Sequence, residues 1–192
     1  MLDRKEEILR AAFEVFKKYG FAKATMEDVA YQCGIKKTAL YYYFKNKEDL
    51  FKTVFRNDIY SLKISLTKEI EKQTNPPDKI KTYMLKRLQS FREKKIYFDI
   101  FKKENLPIKH CEFIKDLRKE FLNFEYNTIS EFIQEGINSG IYDVKSIESL
   151  IYMIMGATYG FGYTIFAFDR GINFREKIDN ILDIILKGIE QR

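Results

Sequence analysis

The chain has 192 residues, enough for one domain or a small domain beside a larger one, and enough to bury a core without metal or disulfide staples. Hydrophobic residues are 45% and charged residues 32%, which excludes a disordered chain, while 3 prolines and 9 glycines are too few for a many-turned β-sandwich or barrel. The net charge of +6 is mildly basic: it permits a polyanionic partner without requiring one.

The first element is an amphipathic helix over about residues 3–19. Ile8, Ala11, Ala12, Val15, Phe16 and Tyr19 form one apolar stripe, with Arg10, Glu14, Lys17 and Lys18 off it. Asp3 with Glu6 resembles a capping box, and Gly20 stands where a helix ends in a left-handed conformation. Thr25-Met26-Glu27-Asp28 is a second cap signal and opens a short helix that Cys33-Gly34 stops near Gln32. A third short helix is expected over Lys36–Tyr43. Asn46-Lys47-Glu48-Asp49 is another cap, opening a long run from Leu50 to about Gln73. Two short helices joined by a turn at Gly34 give the outline of a helix-turn-helix.

Asn75-Pro76-Pro77-Asp78 breaks the chain and starts the next helix, expected from Asp78 to about Lys94. A short helix over Ile96–Lys103 precedes the break at Leu106-Pro107. A long helical pattern follows from Ile108 to Ile137, with Gly136 and Gly140 dissolving its end. Ser146–Phe168 and Phe174–Gly188 are the last two helices, the final one marked by Ile178, Ile181, Leu182, Ile185 and Ile189 at helical spacing. The fold class is therefore all-α, with about nine helices.

Leu150–Phe168 holds 19 residues without a charge, the length of a membrane span. Glycines, threonines and tyrosines dilute the run, and no basic cluster flanks it, so a buried helix covered by its own domain and a second subunit is the preferred reading. Gly156 and Gly160 would let another backbone approach at such a seam. Leu2–Glu7 has no apolar run of a secretory signal, and Cys33 and Cys111 form no disulfide framework; a cytoplasmic protein without a membrane role is expected.

Chemistry is not what the chain is built for. One histidine, His110, is a narrow base for catalysis, and there is no Gly-x-Ser-x-Gly, Gly-x-Gly-x-x-Gly or Walker-type Gly-Lys-Ser/Thr. The two cysteines lie 78 positions apart and make no zinc motif, so neither an enzyme, a metal nor a cofactor is expected. Lys36–Lys47 instead carries Lys36, Lys37, Lys45 and Lys47 without an acid, together with Tyr41, Tyr42 and Tyr43. Lysines suit phosphate contacts and tyrosines can meet base edges. Four lysines alone also describe a solvated face. It is their place after a capped helix and a glycine turn that makes the segment a recognition helix.

The stretch Ile8-Leu9-Arg10-Ala11-Ala12-Phe13-Glu14-Val15-Phe16, then Gly20-Phe21, Thr25-Met26-Glu27-Asp28-Val29-Ala30, Cys33-Gly34-Ile35-Lys36-Lys37, Leu40-Tyr41-Tyr42-Tyr43-Phe44 and Lys47-Glu48-Asp49-Leu50, resembles the N-terminal DNA-binding domain of the TetR family of bacterial transcriptional regulators. The resemblance implies a helix-turn-helix DNA-binding domain over 1–50 (motif about 25–44) and a helical effector-binding and dimerisation domain over 51–192. It also implies a homodimer on a palindromic double-stranded DNA operator, most often a repressor, released by a small-molecule effector. Thr25 matches a position that caps the second helix and meets a phosphate. Lys37, Thr38 and Tyr41 match positions facing the major groove; Tyr43 and Lys47 match phosphate-contacting positions. Tyr42 either faces DNA or packs under its helix, and Lys36 is expected to meet phosphate, since it cannot cap the helix. Many members carry Ser at position 36 and Gly-Thr at 38–39, where this chain has Lys36 and Thr38-Ala39.

The C-terminal aromatics are expected mostly in the core, with Tyr97, Phe98, Phe101, His110, Phe124 and Tyr159 as candidate contacts to a mainly apolar effector. Cys111 reads as a small buried thiol. The homodimer is expected through the last two helices, its recognition helices about 34–36 Å apart, with effector binding moving the fourth helix as a lever. The rival reading is a helical effector-binding or scaffold protein whose helix-turn-helix contacts protein instead of DNA.

Overall fold

The computed structural model describes residues 4–93, 108–168 and 174–188. They form eight helices: α1 (Arg4–Lys23), α2 (Met26–Gln32), α3 (Lys37–Tyr43), α4 (Lys47–Ile70), α5 (Pro76–Glu93), α6 (Ile108–Asn138), α7 (Ile147–Phe168) and α8 (Phe174–Lys187). There is no strand among the described residues. The cap of the first helix at Asp3 and the short helix expected over 96–103 lie outside them.

Helix boundaries follow side chains that satisfy orphan backbone groups. The Asp28 N–H donates to Thr25 Oγ1 at 3.1 Å and the Thr25 N–H to Asp28 Oδ2 at 2.9 Å, a reciprocal capping box. Asn46 caps α4 through the Asp49 N–H (2.8 Å), Asn75 caps α5 through the Asp78 N–H (2.9 Å), and Ser146 caps α7 through the Ser149 N–H (3.2 Å). With Asn75 as cap, α5 begins at Pro76, two residues before the expected start. Both prolines occupy first-turn positions, where their missing N–H costs nothing. At the end of α2 the Gly34 N–H reaches Tyr31 O and the Ile35 N–H reaches Ala30 O, both at 3.0 Å. This is a Schellman turn, and the φ of +64° at Gly34 explains why glycine stands there. Gly140 repeats it after α6, with bonds from Gly140 to Ile137 and from Ile141 to Gly136.

Gly136 does not help dissolve α6, contrary to expectation: it lies inside the helix, and a Cβ there would sit 2.2 Å from the Tyr142 ring. The residue makes room for Tyr142, folded back by the turn at Gly140. A second difference is Tyr19, expected on the buried stripe but 44% exposed. The helix is interrupted at Gly20 (φ 73°, ψ 163°), and Phe21, beyond the interruption, takes the core place against Phe16.

The described residues divide into two compact units. One holds 4–61 and 108–118; the other holds 62–93, 119–168 and 174–188. The first packs Ile8, Ala12, Val15 and Phe16 of α1 against Val29, Ala30, Leu40 and Phe44, closed by Leu50, Phe51 and Phe55 of α4. Phe51 is its hub, with ring centroids 5.2, 4.5 and 4.3 Å from Phe16, Phe21 and Phe55. In the second, α5 packs against α7 and α8 around Ile80, Met84, Leu150, Ile154, Ile178 and Leu182. Ile185 is also buried, whereas Ile189 lies outside the described residues. Among the described residues no helix is long and apolar enough to cross a membrane.

Candidate nucleic-acid interface and regulatory core

α3 shows one side to its own unit and the rest to solvent. Leu40 is fully buried, while Lys37, Thr38, Ala39, Tyr41, Tyr42 and Tyr43 are exposed. Tyr42 is 86% exposed, so it does not pack under the helix; its ring meets Tyr43 edge-on at 5.4 Å. Lys36 sits at the N-cap with no side-chain capping bond, as its chemistry requires. Lys37 ion-pairs with Glu27 of α2, and each holds the other's charge: the hydrogen bond from Lys37 lowers the Glu27 pKa and raises that of Lys37. Thr25 is committed to the capping box, where its hydroxyl also donates to Asp28 Oδ2 at 2.7 Å and holds that carboxyl below its ordinary pKa.

Lys47 is placed differently from the other lysines of the segment. Its Nζ donates to the carbonyls of Phe21 and Ala24, both at 2.9 Å, and of Ala22 at 3.5 Å, and lies 4.6 Å from the Phe21 ring centroid. Exposed Tyr31 on α2 (89%) was not singled out from the sequence, because a lone tyrosine near a helix end carries no pattern.

The second unit holds a buried polar cluster that spacing did not announce. Glu125 of α6 and Arg87 of α5 are 0% and 2% exposed and form an ion pair through Arg87 Nε. Tyr83 donates to Glu125 Oε1 at 2.8 Å and Tyr159 of α7 to Oε2 at 2.5 Å, while Arg87 also donates to Ser90 Oγ (2.8 Å) and Tyr159 Oη (3.2 Å). The guanidinium is flanked by Phe91, Phe121 and Tyr159, with centroids 4.5, 4.8 and 5.4 Å away. Burial works against the Arg87 cation, yet the Glu125 carboxylate outweighs it and keeps the pKa above its ordinary value. Burial and the same carboxylate push the Tyr83 and Tyr159 hydroxyls up, so both remain protonated donors. Gly162 admits the Phe91 ring: a Cβ there would meet it at 2.6 Å.

Of the candidate effector contacts, Tyr159 belongs to this cluster. Phe124 lies under the Lys63 ammonium (5.4 Å) and beside a cleft of about 540 Å³ that Thr67, Ile70, Gln73, Asn127 and Phe132 also line. Tyr97, Phe98 and Phe101, and the side chains of His110 and Cys111, lie outside what the structure describes. Among the described residues no group of three or more metal-ligating side chains comes together.

The outer face of α7 is open: Tyr152 (59% exposed), Met153, Gly156, Gly160 and Tyr163 share it, and Ile184 of α8 is 74% exposed.

Residues 8–54 match the family model of bacterial regulatory proteins, tetR family. Over 200 aligned residues the chain is 27% identical to the HTH-type transcriptional regulator RutR of Escherichia coli, covering 98% of this chain and 92% of that one. It is 22% identical to the HTH-type transcriptional repressor KstR2 of Mycolicibacterium smegmatis, over 98% of this chain and 91% of the relative. The solved transcriptional regulator FadR of Bacillus subtilis, in complex with stearoyl-CoA, superposes with a TM-score of 0.73 at 21% identity, covering 96% of this chain and 99% of that one. The exposed helix after a Schellman turn lies inside the matched segment, and similarity to transcriptional regulators extends over nearly all of the remainder: residues 8–54 form a DNA-binding domain of the TetR family, in a chain that resembles bacterial transcriptional regulators along its length.

Proposed function

We propose that the protein is a ligand-responsive repressor that binds a palindromic operator as a homodimer and leaves it when a mainly apolar small molecule binds the second unit. DNA binding is assigned to residues 1–50 and effector binding with dimerisation to residues 51–192. The observation that carries the reading is α3, which exposes every side chain but Leu40. A helix that buries so little for its own unit is shaped for a partner, and its lysines and tyrosines suit phosphates and base edges. Lys37, Thr38 and Tyr41 face the major groove, Thr25, Lys36 and Tyr43 meet the backbone, and Tyr42 extends the contact.

The effector class rests on the aromatic surroundings of Arg87, whose charge Glu125 already answers, so a second strong anion has no unanswered cation to meet there. The stearoyl chain of the ligand in the FadR complex supports a long apolar body. Dimerisation is assigned to the outer face of α7 with α8, where tyrosine rings and open glycines lie side by side. The effector then shifts α4 and with it the separation of the two recognition helices.

The test is selection of bound sequences from a random DNA library with the purified protein at two salt concentrations. A palindrome whose affinity falls steeply with salt is the expected result. Absence of an enriched motif from a folded dimer stripped of ligand by refolding would overturn the reading in favour of a helix-turn-helix that contacts protein.

A further inference from the structure

We infer that Glu27 reads DNA together with Lys37: the pair is a donor–acceptor couple that selects a G·C base pair in the major groove. The inference rests on the DNA-binding reading above and deepens it, since that reading gives Glu27 no part.

The two side chains come from different helices. Glu27 lies in the first turn of α2, and Lys37 is the first residue of α3. They meet as an ion pair on the surface, with side chains 61% and 44% exposed. Exposed pairs of this kind add little to stability. The two helices are already joined by the Schellman turn at Gly34 and by the burial of Val29, Ala30 and Leu40. On a surface that must approach phosphates an acid is a cost, because it cancels the nearest lysine and repels the DNA backbone. That cost is offset where the partner offers the carboxylate a hydrogen-bond donor.

The major groove offers one. Guanine presents N7 and O6 as adjacent acceptors, and its cytosine presents the N4 amino hydrogen that base pairing leaves in the groove. O6 and N4 are hydrogen-bonded to each other, so they lie about 2.9 Å apart. An ammonium and the carboxylate oxygen it holds have much the same spacing. The Lys37 ammonium carries three donor hydrogens and spends one on Glu27, which leaves hydrogens for both O6 and N7. The Glu27 carboxylate accepts from Lys37 and from its own backbone N–H. A carboxylate has about four acceptor sites, so the cytosine amino group still finds one. The ion pair therefore stays intact on the base pair. An A·T pair instead alternates acceptor, donor and acceptor, with the thymine methyl beside the last. There Glu27 meets the adenine amino group, but Lys37 reaches only one acceptor, next to an apolar group. An acid left without a donor also penalises wrong sequences, which is how a single side chain raises specificity without raising overall affinity.

The experiment starts from the operator recovered with the unaltered protein. Each base pair is changed in turn, symmetrically in both half-sites, and binding is read by fluorescence anisotropy for the unaltered protein, Glu27→Ala and Lys37→Met. Alanine is used because a glutamine oxygen still accepts from cytosine. The unaltered protein is expected to prefer G·C at one half-site position, and Glu27→Ala to lower that preference on the order of tenfold at that position alone. Lys37→Met, which carries the test should Glu27→Ala not fold, is expected to relax the same position. A loss of stability would lower affinity for every duplex alike and leave the ratios between positions unchanged. Equal tightening on all duplexes in Glu27→Ala, with every preference kept, would make Glu27 a general charge and overturn the inference alone. Relaxation of an A·T position, or of different positions by the two variants, would overturn it as well. Failure of the unaltered protein to bind any duplex would overturn the DNA-binding reading itself, and the role of Glu27 with it.

Discussion

Cutting Arg87 to Met removes the guanidinium while keeping an apolar stem in the same space. It leaves the Glu125 carboxylate with no exposed surface and no cation. Loss of one partner from a buried ion pair costs about 3–5 kcal/mol. The Tyr83 and Tyr159 hydroxyls still donate to the stranded carboxylate, and charge-assisted bonds of that kind contribute about 1.5–3 kcal/mol each. The expected loss therefore falls at the low end, near ~3 kcal/mol, or a melting point lower by about 6–12 °C for a chain of this size. Replacing both charges, as Arg87→Met with Glu125→Leu, in a background where Tyr83→Phe and Tyr159→Phe remove the hydroxyls that would lose their acceptor, eliminates the uncompensated charge and is expected to return the protein to within about 1 kcal/mol of that background. Urea unfolding of the four members of this cycle measures the coupling. A single variant within about 1 kcal/mol of the starting protein, or a double variant no more stable than the single in that same background, would refute the account of Arg87 and Glu125 as mutually dependent charges.

Tyr41→Ala is expected to lower operator affinity by about 1–3 kcal/mol with helix content and melting unchanged, read by anisotropy and circular dichroism; loss of both together would make Tyr41 structural. Glu27→Gln frees Lys37 from its ion pair and removes an acid from the α2–α3 surface, so non-specific duplex binding should tighten and its salt dependence steepen. Gly136→Ala drives a Cβ into the Tyr142 ring and should cost about 1–3 kcal/mol in urea unfolding, less when Tyr142 is also cut to Ala. Gly156→Ala with Gly160→Ala meets nothing within 4 Å inside the chain and gains up to about 1 kcal/mol of helix propensity per site. The pair should nevertheless favour monomer in sedimentation, and a persisting dimer would take the dimer seam off this face of α7.

What could be read from residue order was mostly local. Thr25 with Asp28, Asn46 with Asp49, and the turn at Gly34 each act within a few residues, so their signals survive in the sequence and locate the helix-turn-helix closely. The all-α class follows from the same signals. The pairing of Arg87 with Glu125 joins residues 38 positions apart, and neither has a periodicity that points to the other. Lys47 looked like its basic neighbours because composition does not record which carbonyls lie within reach of an ammonium. Tyr19 and Phe21 were exchanged in the expected core because one φ angle at Gly20 decides which ring turns inward. Gly136 carried the signature of a breaker while serving as a socket for Tyr142, since an absent side chain looks the same in either role.

The economy of α3 has a consequence for how such a protein changes over time. One of its seven positions, Leu40, is buried, and the other six face outward. Surface substitutions away from special contacts usually alter stability by less than about 0.5 kcal/mol. The six can therefore be exchanged while the scaffold keeps its core. Operator preference can drift through α3 with little effect on folding, whereas Leu40, Gly34 and the Thr25–Asp28 box hold the frame that presents it. A lineage built on this frame can acquire new DNA targets faster than it can acquire a new fold.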